Sequence, residues 1–291
     1  MKRKALVVYN PASGKHRWQG ILASLLPQLQ RSGISYERFE TAINTKVIPL
    51  DYSFTDIIVI GGDGTINLAL NAIRGQYPVV FNLIPAGTGN DFVKNLAIGH
   101  SLEEQIDTIC NGQVVSVDVG RCNDRLFVNG VGLGFDGQIV ADMLHRKIWL
   151  TGHARYYYHV LSILATFKPV KLDYQVAGEI FSKNTLLLLI ANGSTFGGGF
   201  KLAPDGSLTD GHLDLCHIGD VSPLKRFLHL PKLEKGTHGQ LEEVGFDKIK
   251  KISISKNPAI IAHIDGEYLG NPPFEIEVLP GRLKLRVKNS A

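Results

Sequence analysis

The chain has 291 residues, 44% of them hydrophobic and 20% charged, with a formal charge of +4. That length allows one large domain or two ordinary ones with a real core, and the charge is too mild to argue for a nucleic-acid partner. Only ALVVY separates the initial MKRK from Asn10 and Pro11, and the longest later apolar run is LLLLIA at 186–191. A secretory signal needs roughly 7–15 apolar residues and a spanning helix ~20, so neither is expected, and a cytoplasmic location is. Cys110, Cys122 and Cys216 have no paired spacing, which fits a reducing compartment and small buried side chains.

The first half alternates strand-like and helix-like segments. KALVVYN (4–10) has strand length. Residues 17–31 carry apolar side chains at helical spacing and stop at Gly33, and ISYERFE (34–40) alternates like a half-buried strand. DIIVI (56–60) is continuously apolar, as a strand covered on both faces is. TINLALNAIRG reads as a helix and PVVFNLI (78–84) as the next strand. DFVKNLAI (91–98) and SLEEQIDTICNG (101–112) read as further helices, the second opened by the capping-box pair Ser101 and Glu104. Such alternation implies a mostly parallel sheet with flanking helices.

Near residue 113 the rhythm changes. QVVSVDVG and RLFVNGVG flank CND, a hairpin signal. FDGQIVADMLHRKI and HARYYYHVLSILATF are helical. After Pro169 come the strand-like runs VKLDYQV, NTLLLLIAN, HLDLCHI, KISISK, AIIAHI, FEIEVLP and RLKLRV, interrupted by the helical SPLKRFLHLPKLEK. The expected fold class is an α/β domain over residues 1–125 followed by a β-rich, sandwich-like domain over 126–281.

In open parallel sheets ligands bind beyond the carboxyl ends of the strands. Three glycine-bearing loops of the first half fall there: NPASGK (10–15), GGDGT (61–65) and PAGTGND (85–91). Glycine lets backbone N–H groups approach phosphate oxygens, helix N-termini add a positive dipole end, and Ser13, Thr65 and Thr88 add hydroxyl donors. Like charges repel, so Asp63 would meet phosphate through Mg²⁺ or orient an incoming hydroxyl. The alternative is a purely structural strand–turn–helix junction with a capping aspartate. GLGFDG (132–137) has dinucleotide-site spacing but lacks the acid about 20 residues on, and SGK at 13–15 departs from the P-loop pattern at both ends.

Together NPASGK, GGDGTIN and PAGTGNDF resemble the diacylglycerol kinase catalytic family, its bacterial soluble lipid kinases in particular, within the wider NAD kinase/diacylglycerol kinase-like group. FVNGVGLGFDGQIV, TFGGGFKLAPDGSLTDGHLDL and IDGEYL continue the resemblance over nearly the whole chain. It implies an N-terminal nucleotide-binding domain, a β-rich lipid-substrate domain, a last segment (282–291) returning to the first domain, and transfer of the ATP γ-phosphate to a lipid hydroxyl.

By the same resemblance, Asn10, Pro11, Ala12, Ser13 and Gly14 would line the ATP phosphates, as would Gly62, Asp63, Gly64, Thr65, Ile66, Asn67 and Thr88. Thr41 would lie beside the nucleotide, and Asp91 would organise the site and its Mg²⁺. Asp210, with the main-chain carbonyls of Ser207 and His212, matches a structural Mg²⁺ site, and Glu267 matches the general base, with Asp63 and Asp91 as the other catalytic acids. Leu68 stands where the family often has Glu, and the interval from Thr41 to Gly61 is short. The alternative for Glu267 is a water-exposed hairpin acid, and for Asp210 an ordinary Asp-Gly turn. KIWLTGHARYYYHVL (147–161) mixes basic and aromatic residues, which suits transient contact with a membrane surface or a helix core. A homodimer stays open. The competing functions are NAD kinase, from GGDGT, and a non-catalytic nucleotide- or lipid-binding protein of the same fold.

Overall fold

The computed structural model describes residues 2–13, 17–42, 45, 47–73, 78–146, 148–150 and 152–289. The chain divides into one unit of Met1–Val117 with Gly281–Ala291 and a second of Asp118–Pro280.

In the first unit the apolar runs become β1 (Lys4–Tyr9), β2 (Ser35–Glu40), β3 (Asp56–Gly61) and β4 (Val80–Pro85), with helices α1 (Arg17–Arg31), α2 (Asp63–Ile73) and α3 (Leu102–Asn111) between and after them. The strand order is β2-β1-β3-β4 followed by residues 281–287 of the last strand, and every pairing is parallel. All of β3 is buried because both its faces are covered. Val7, Ile58 and Ile60 pack with Leu22, Leu25 and Leu29 of α1 and Ile106 and Ile109 of α3. Leu6, Ile57 and Val59 point the other way by strand alternation and are equally buried, and α2 buries Ile66, Leu70 and Ile73. α3 starts at the capping box of Ser101 and Glu104.

DFVKNLAI forms no α-helix, only a single 3₁₀ turn at Val93–Asn95. The Asp63 carboxylate accepts the N–H groups of Asp91 and Phe92, Asn90 sits at φ 51°, and the Asn95 amide donates to the carbonyls of Asp91 and Phe92. Side chains have taken the backbone groups a helix would use.

The buried Asp56 ties the returning last strand to this sheet. Its carboxylate accepts from Arg3 at 2.6 Å and from Asn82 and Arg286 at 3.2 Å, while Thr55 donates at 2.7 Å. Burial pushes this carboxyl up, but Arg3, Thr55 and Asn82 outweigh it and hold it below its ordinary value. Asp56→Ala would leave two guanidinium groups half-paired in the interior and is expected to destabilise by about 3–5 kcal/mol, read by urea unfolding. Because the folded pKa is depressed, the wild-type contribution is complete above the unfolded value of about 3.9 and is lost as pH falls through the folded one. The stability difference between wild type and variant should therefore shrink on acidification.

The chain passes to the second unit within β5 (Gln113–Cys122), which forms a hairpin with β6 (Arg125–Phe127) across Asn123 and Asp124. Then come β7 (Gly130–Gly134), α4 (Phe135–His145), α5 (Gly152–Thr166), β8 (Val170–Val176), β9 (Glu179–Thr185), β10 (Leu187–Ala191), β11 (Leu213–Ile218), α6 (Pro223–Lys235), β12 (Val244–Ile249), β13 (Lys251–Ile254), β14 (Ala262–Ile264), β15 (Glu267–Gly270) and β16 (Phe274–Val287). Among the described residues one antiparallel sheet runs β12-β11-β10-β7-β14-β15, and β16, β13, β8 and β9 form antiparallel neighbours in another. Leu188, Ile190 and Leu215 of the first meet Leu172, Ile252 and Ile276 of the second in one core, so the unit is a sandwich.

The run LLLIA of β10 is apolar throughout because its other face is covered too. Leu187, Leu189 and Ala191 pack with Phe135, Tyr156, Leu230 and Leu233 of α4, α5 and α6. Four strand-like runs are divided differently from their reading in the sequence. RLFVNGVG breaks into β6 and β7 where the Asp265 carboxylate accepts the N–H groups of Val128, Asn129 and Gly130. NTLLLLIAN is shared between β9 and β10. FEIEVLP and RLKLRV are one strand, which continues through Gly281 (φ 59°).

Candidate active site

The carboxyl ends of β1, β3 and β4 bring the three glycine loops of the first unit to one sheet edge. The N–H of Asn10 donates to Ile60 O, its side chain accepts from the Ala12 N–H at 2.9 Å, and its amide reaches the Thr65 hydroxyl at 3.5 Å. Pro11, Ala12 and Ser13 line this turn, and Gly14 lies outside the described residues. The buried Thr41, at the end of β2, spends its N–H and hydroxyl on Tyr9 O. Thr65, Ile66 and Asn67 are buried too. Ile66 belongs to the core, and the Asn67 side chain accepts from Asn71 at 3.1 Å. Gly64 and Thr88 are exposed, and Gly62 and Asp63 are partly so.

The glycines have a reason the sequence does not reveal. A Cβ on Gly87 would stand 2.5 Å from the Gly62 Cα, and one on Gly62 would stand 3.0 Å from the Gly87 Cα. The GGDG and PAGTGND loops cross backbone against backbone, and any side chain at either crossing point would part them. Asn90 closes the second loop by exchanging hydrogen bonds with the N–H and C=O of Gly87. The same crossing sets Asp63, first residue of α2, under the second loop, where Asp91 and Phe92 donate to it at 3.2 Å. Asp91 pairs with Lys94 at 2.8 Å. One oxygen of each acid, Asp63 and Asp91, lies within 3.6 Å of the point where a Gly89 Cβ would be, so the two carboxylates converge.

In the second unit Glu267 is exposed at the start of β15, paired with Ile264 across the tight Asp265-Gly266 turn. Its carboxylate meets the Arg125 guanidinium at 2.8 Å. The turn is braced twice. Asp265 grips the backbone of residues 128–130, and the buried His263 accepts the Gly266 N–H at Nδ1 while Nε2 meets Asp136 at 2.6 Å. None of Arg125, Asp136, His263 and Asp265 was singled out from the sequence. The signal available was IDGEYL, where an Asp-Gly turn directly precedes an acid.

The 207–212 turn holds its residues by local bonds. The Ser207 hydroxyl accepts from the Thr209 N–H at 3.4 Å, and the His212 N–H donates to the Asp210 carboxylate at 3.1 Å. The His212 ring lies 2.8 Å from Asp210 O. Burial raises the Asp210 carboxyl, but the Lys248 ammonium and the His212 N–H prevail and hold it low. Neighbouring Asp214 is shifted the other way, by burial and by Asp210 and Asp205 against Lys248, and its buried Oδ2 has no hydrogen-bond partner. Among the described residues no group of three or more His, Cys, Asp or Glu converges as a metal site.

Helices α4, α5 and α6 also bound a small apolar cavity against the sheet, about 70 Å³ in volume. Ile139, Val160, Leu164, Leu187, Leu230 and Leu233 line it, with Asp136 and Arg226 at its wall. Within 147–161, Lys147 lies outside the described residues, Trp149 is exposed, and Tyr156 packs on the core. His159 is buried against Asp142. Among the described residues no helix is long and apolar enough to cross a membrane.

The profile of the diacylglycerol kinase catalytic domain matches residues 4–122, and that of the YegS C-terminal NAD kinase beta sandwich-like domain matches residues 129–287. The chain is 30% identical over 281 residues to a diacylglycerol kinase of Staphylococcus saprophyticus, with 94% of this chain and 92% of that one covered. It superposes on a crystal structure of a diacylglycerol kinase from Bacillus anthracis with a TM-score of 0.74 at 22% identity, covering 98% and 97% of the two chains. On an NAD kinase from Archaeoglobus fulgidus in complex with ATP the TM-score is 0.54 at 16% identity, covering 98% and 93%. Both superpositions show a shared fold, and the sequence match carries the family: this chain belongs to the diacylglycerol kinase catalytic-domain family, with a YegS-type β-sandwich as its second half.

Proposed function

We propose that this protein transfers the γ-phosphoryl group of ATP to the hydroxyl of a lipid, diacylglycerol first among acceptors, yielding ADP and phosphatidic acid. Its relatives' names support the reaction. The observation that carries the choice of a lipid over a dinucleotide is the 30% identity to a named diacylglycerol kinase over nearly the whole chain, whereas the likeness to an NAD kinase is one of fold alone. The acceptor oxygen bonds to the γ-phosphorus as the β–γ bridge breaks, and the hydroxyl proton passes to Glu267. The loop turn at Asn10–Ser13, the start of α2 from Gly62 to Asn67, Thr88 and Thr41 would frame the nucleotide; the N–H groups of Asn10, Ala12, Ser13, Thr41, Thr65 and Ile66 are already bonded within the chain, so the first turn of α2 and the exposed Thr88 would face the phosphates.

Mg²⁺ fits beside Asp63 and Asp91. Their oxygens converge, and Mg²⁺ is commonly held by one or two carboxylates together with substrate phosphates. Bound there it would neutralise phosphate charge. The turn of Ser207, Asp210 and His212 is the proposed second cation site, and the unpartnered Asp214 oxygen marks a place that would welcome more positive charge. Removal of divalent ions by EDTA is expected to abolish transfer, with recovery on adding Mg²⁺. The deciding assay is transfer from labelled ATP to diacylglycerol, related lipids and NAD⁺ in mixed micelles. Labelled phosphatidic acid supports the proposal. Label on NAD⁺ alone would replace it with the NAD kinase reading, and no transfer at all would favour a binding protein.

A further inference from the structure

The turn that carries Glu267 is a two-residue hairpin. Asp265 at φ 49° and Gly266 at φ 81° form it, the pair of left-handed residues that a type I′ turn requires, and Ile264 pairs with Glu267 across it. The imidazole of His263 lies behind this turn, in the interior. The Gly266 N–H can only donate, so the Nδ1 atom that it meets at 3.2 Å carries a lone pair. The ring proton is then on Nε2, which donates to Asp136 at 2.6 Å. The neutral ring protonated at Nε2 is the one form that serves both neighbours. An imidazolium would set a second N–H against that of Gly266 and release the peptide next to Glu267.

GLGFDG, which fits no dinucleotide site, has its reason here. A Cβ on Gly132 would collide with Asp136 Oδ2 and His263 Nε2, and one on Gly137 with Ile261 O. Bare backbone thus lets β7 and α4 close on the ring, and the Gly134 N–H donates to Ile261 O at 2.9 Å. Of the elements around the ring, β7 brings no titratable side chain, and β15 brings Tyr268, the register partner of His263. α4 brings Asp136, and Asp142 farther along it is held by His159. Glu267 is paired with Arg125. Burial pushes the imidazole pKa down, but Asp136 and Asp265 prevail and hold it above its ordinary value of 6.5.

We propose that His263, held in one tautomer by Asp136, is a positioning residue for Glu267 and fixes the place of that acid only while the imidazole is neutral. The proposal rests on the kinase reading for what Glu267 does, and on the hydrogen bonds alone for how it is held. A carboxylate base taken by itself gives an acid limb near about pH 4. Here the ring loses its neutral form first, so activity falls on acidification in the range of His263 and not in that of a carboxylate. Asp265 still grips residues 128–130, so the hairpin is loosened and not lost. A misplacement of about 1 Å in a reacting group costs on the order of 10²-fold. Removing the Asp136 charge acts in the opposite direction. Asn at 136 still offers an oxygen to the Nε2–H, burial is then opposed by Asp265 alone, and the enzyme works at lower pH than wild type.

The test is the pH dependence of kcat at saturating Mg·ATP and diacylglycerol, from about pH 5 to about pH 9, for wild type, Asp136→Asn and His263→Asn. Asn at 263 can present its Oδ1 to the Gly266 N–H and takes up no proton. Titration of the nucleotide is common to all three proteins and moves with no substitution. Circular dichroism melts check that each is folded, and Asp136→Asn decides alone if His263→Asn is not. Expected is a wild-type acid limb above about pH 6.5, lowered by about one pH unit or more in Asp136→Asn and moved to the carboxylate range in His263→Asn. Alongside, the Gly266 amide is followed by ¹⁵N-resolved NMR without ATP. It should shift as the His263 ring titrates in wild type, do so at lower pH in Asp136→Asn, and lose this step in His263→Asn. An acid limb shared by all the folded proteins, or a Gly266 amide that ignores the ring, would overturn the inference. No phosphorylated lipid from wild type at any pH, with a Gly266 amide that follows the ring, would overturn the kinase reading and leave the coupling of ring to turn established.

Discussion

Glu267→Gln is expected to lower kcat for lipid phosphorylation by roughly 10²- to 10⁴-fold, the contribution of a positioned general base, with the KM for ATP little changed. The substitution keeps shape and removes the ability to take a proton. The turn that presents the residue does not depend on it: Asp265 grips residues 128–130, and His263 joins Gly266 to Asp136. The lost ion pair with Arg125 lies at the surface, so stability should move by less than about 1 kcal/mol. A fall in kcat at unchanged melting temperature therefore reads the chemistry alone. Wild-type turnover in Glu267→Gln would remove the residue from the reaction. Arg125→Ala should give a smaller fall, since it frees the carboxylate's orientation without removing it.

Asp63→Asn should behave differently, losing both activity and stability. The two Asp63 oxygens accept from two different N–H groups, those of Asp91 and Phe92. An amide offers one oxygen and one NH₂, so one backbone donor would face another. Each hydrogen bond to a charged group is worth about 1.5–3 kcal/mol, and a loss of about 2 kcal/mol or more is expected in urea unfolding. Turnover should fall by at least ~10²-fold, the cost of removing one preorganised electrostatic group. Assays well below the melting temperature separate the two effects. Undiminished turnover in a folded Asp63→Asn protein would reject Asp63 as a catalytic group, whereas turnover that is lost with it argues against a non-catalytic role for the fold.

The parts of the fold legible in the sequence are those where one local period decides. β3 and β10 read as continuous apolar runs because both their faces are covered, and α3 was announced by its capping box. β12 and most of β9 passed unnoticed for the opposite reason: each lies at one edge of its sheet, its side chains mostly face water, and no alternation marks it. The helix read over DFVKNLAI failed because its backbone donors and acceptors are claimed by Asp63 and Asn95, and propensity has no knowledge of a competing carboxylate. At the site, the three loops were visible as strand–glycine–helix junctions, but the reason for Gly62 and Gly87 was not. Each is required by the other, across a crossing of two loops that lie apart in the chain.

By itself the sequence determined the alternation of strand and helix, the change to a β-rich second half, and the three glycine loops, because each follows from residue type and spacing within one segment. The partners of the candidate site acids were left to the tertiary structure. Asp63 answers to a backbone 28 residues on, Asp210 to a lysine 38 residues away, and Glu267 to an arginine 142 residues back. The outward face of α6 belongs there as well, since its apolar residues read as core until the sheet and α5 have taken the other side. Periodicity says which residues share a face, and only packing says which face is left to the solvent.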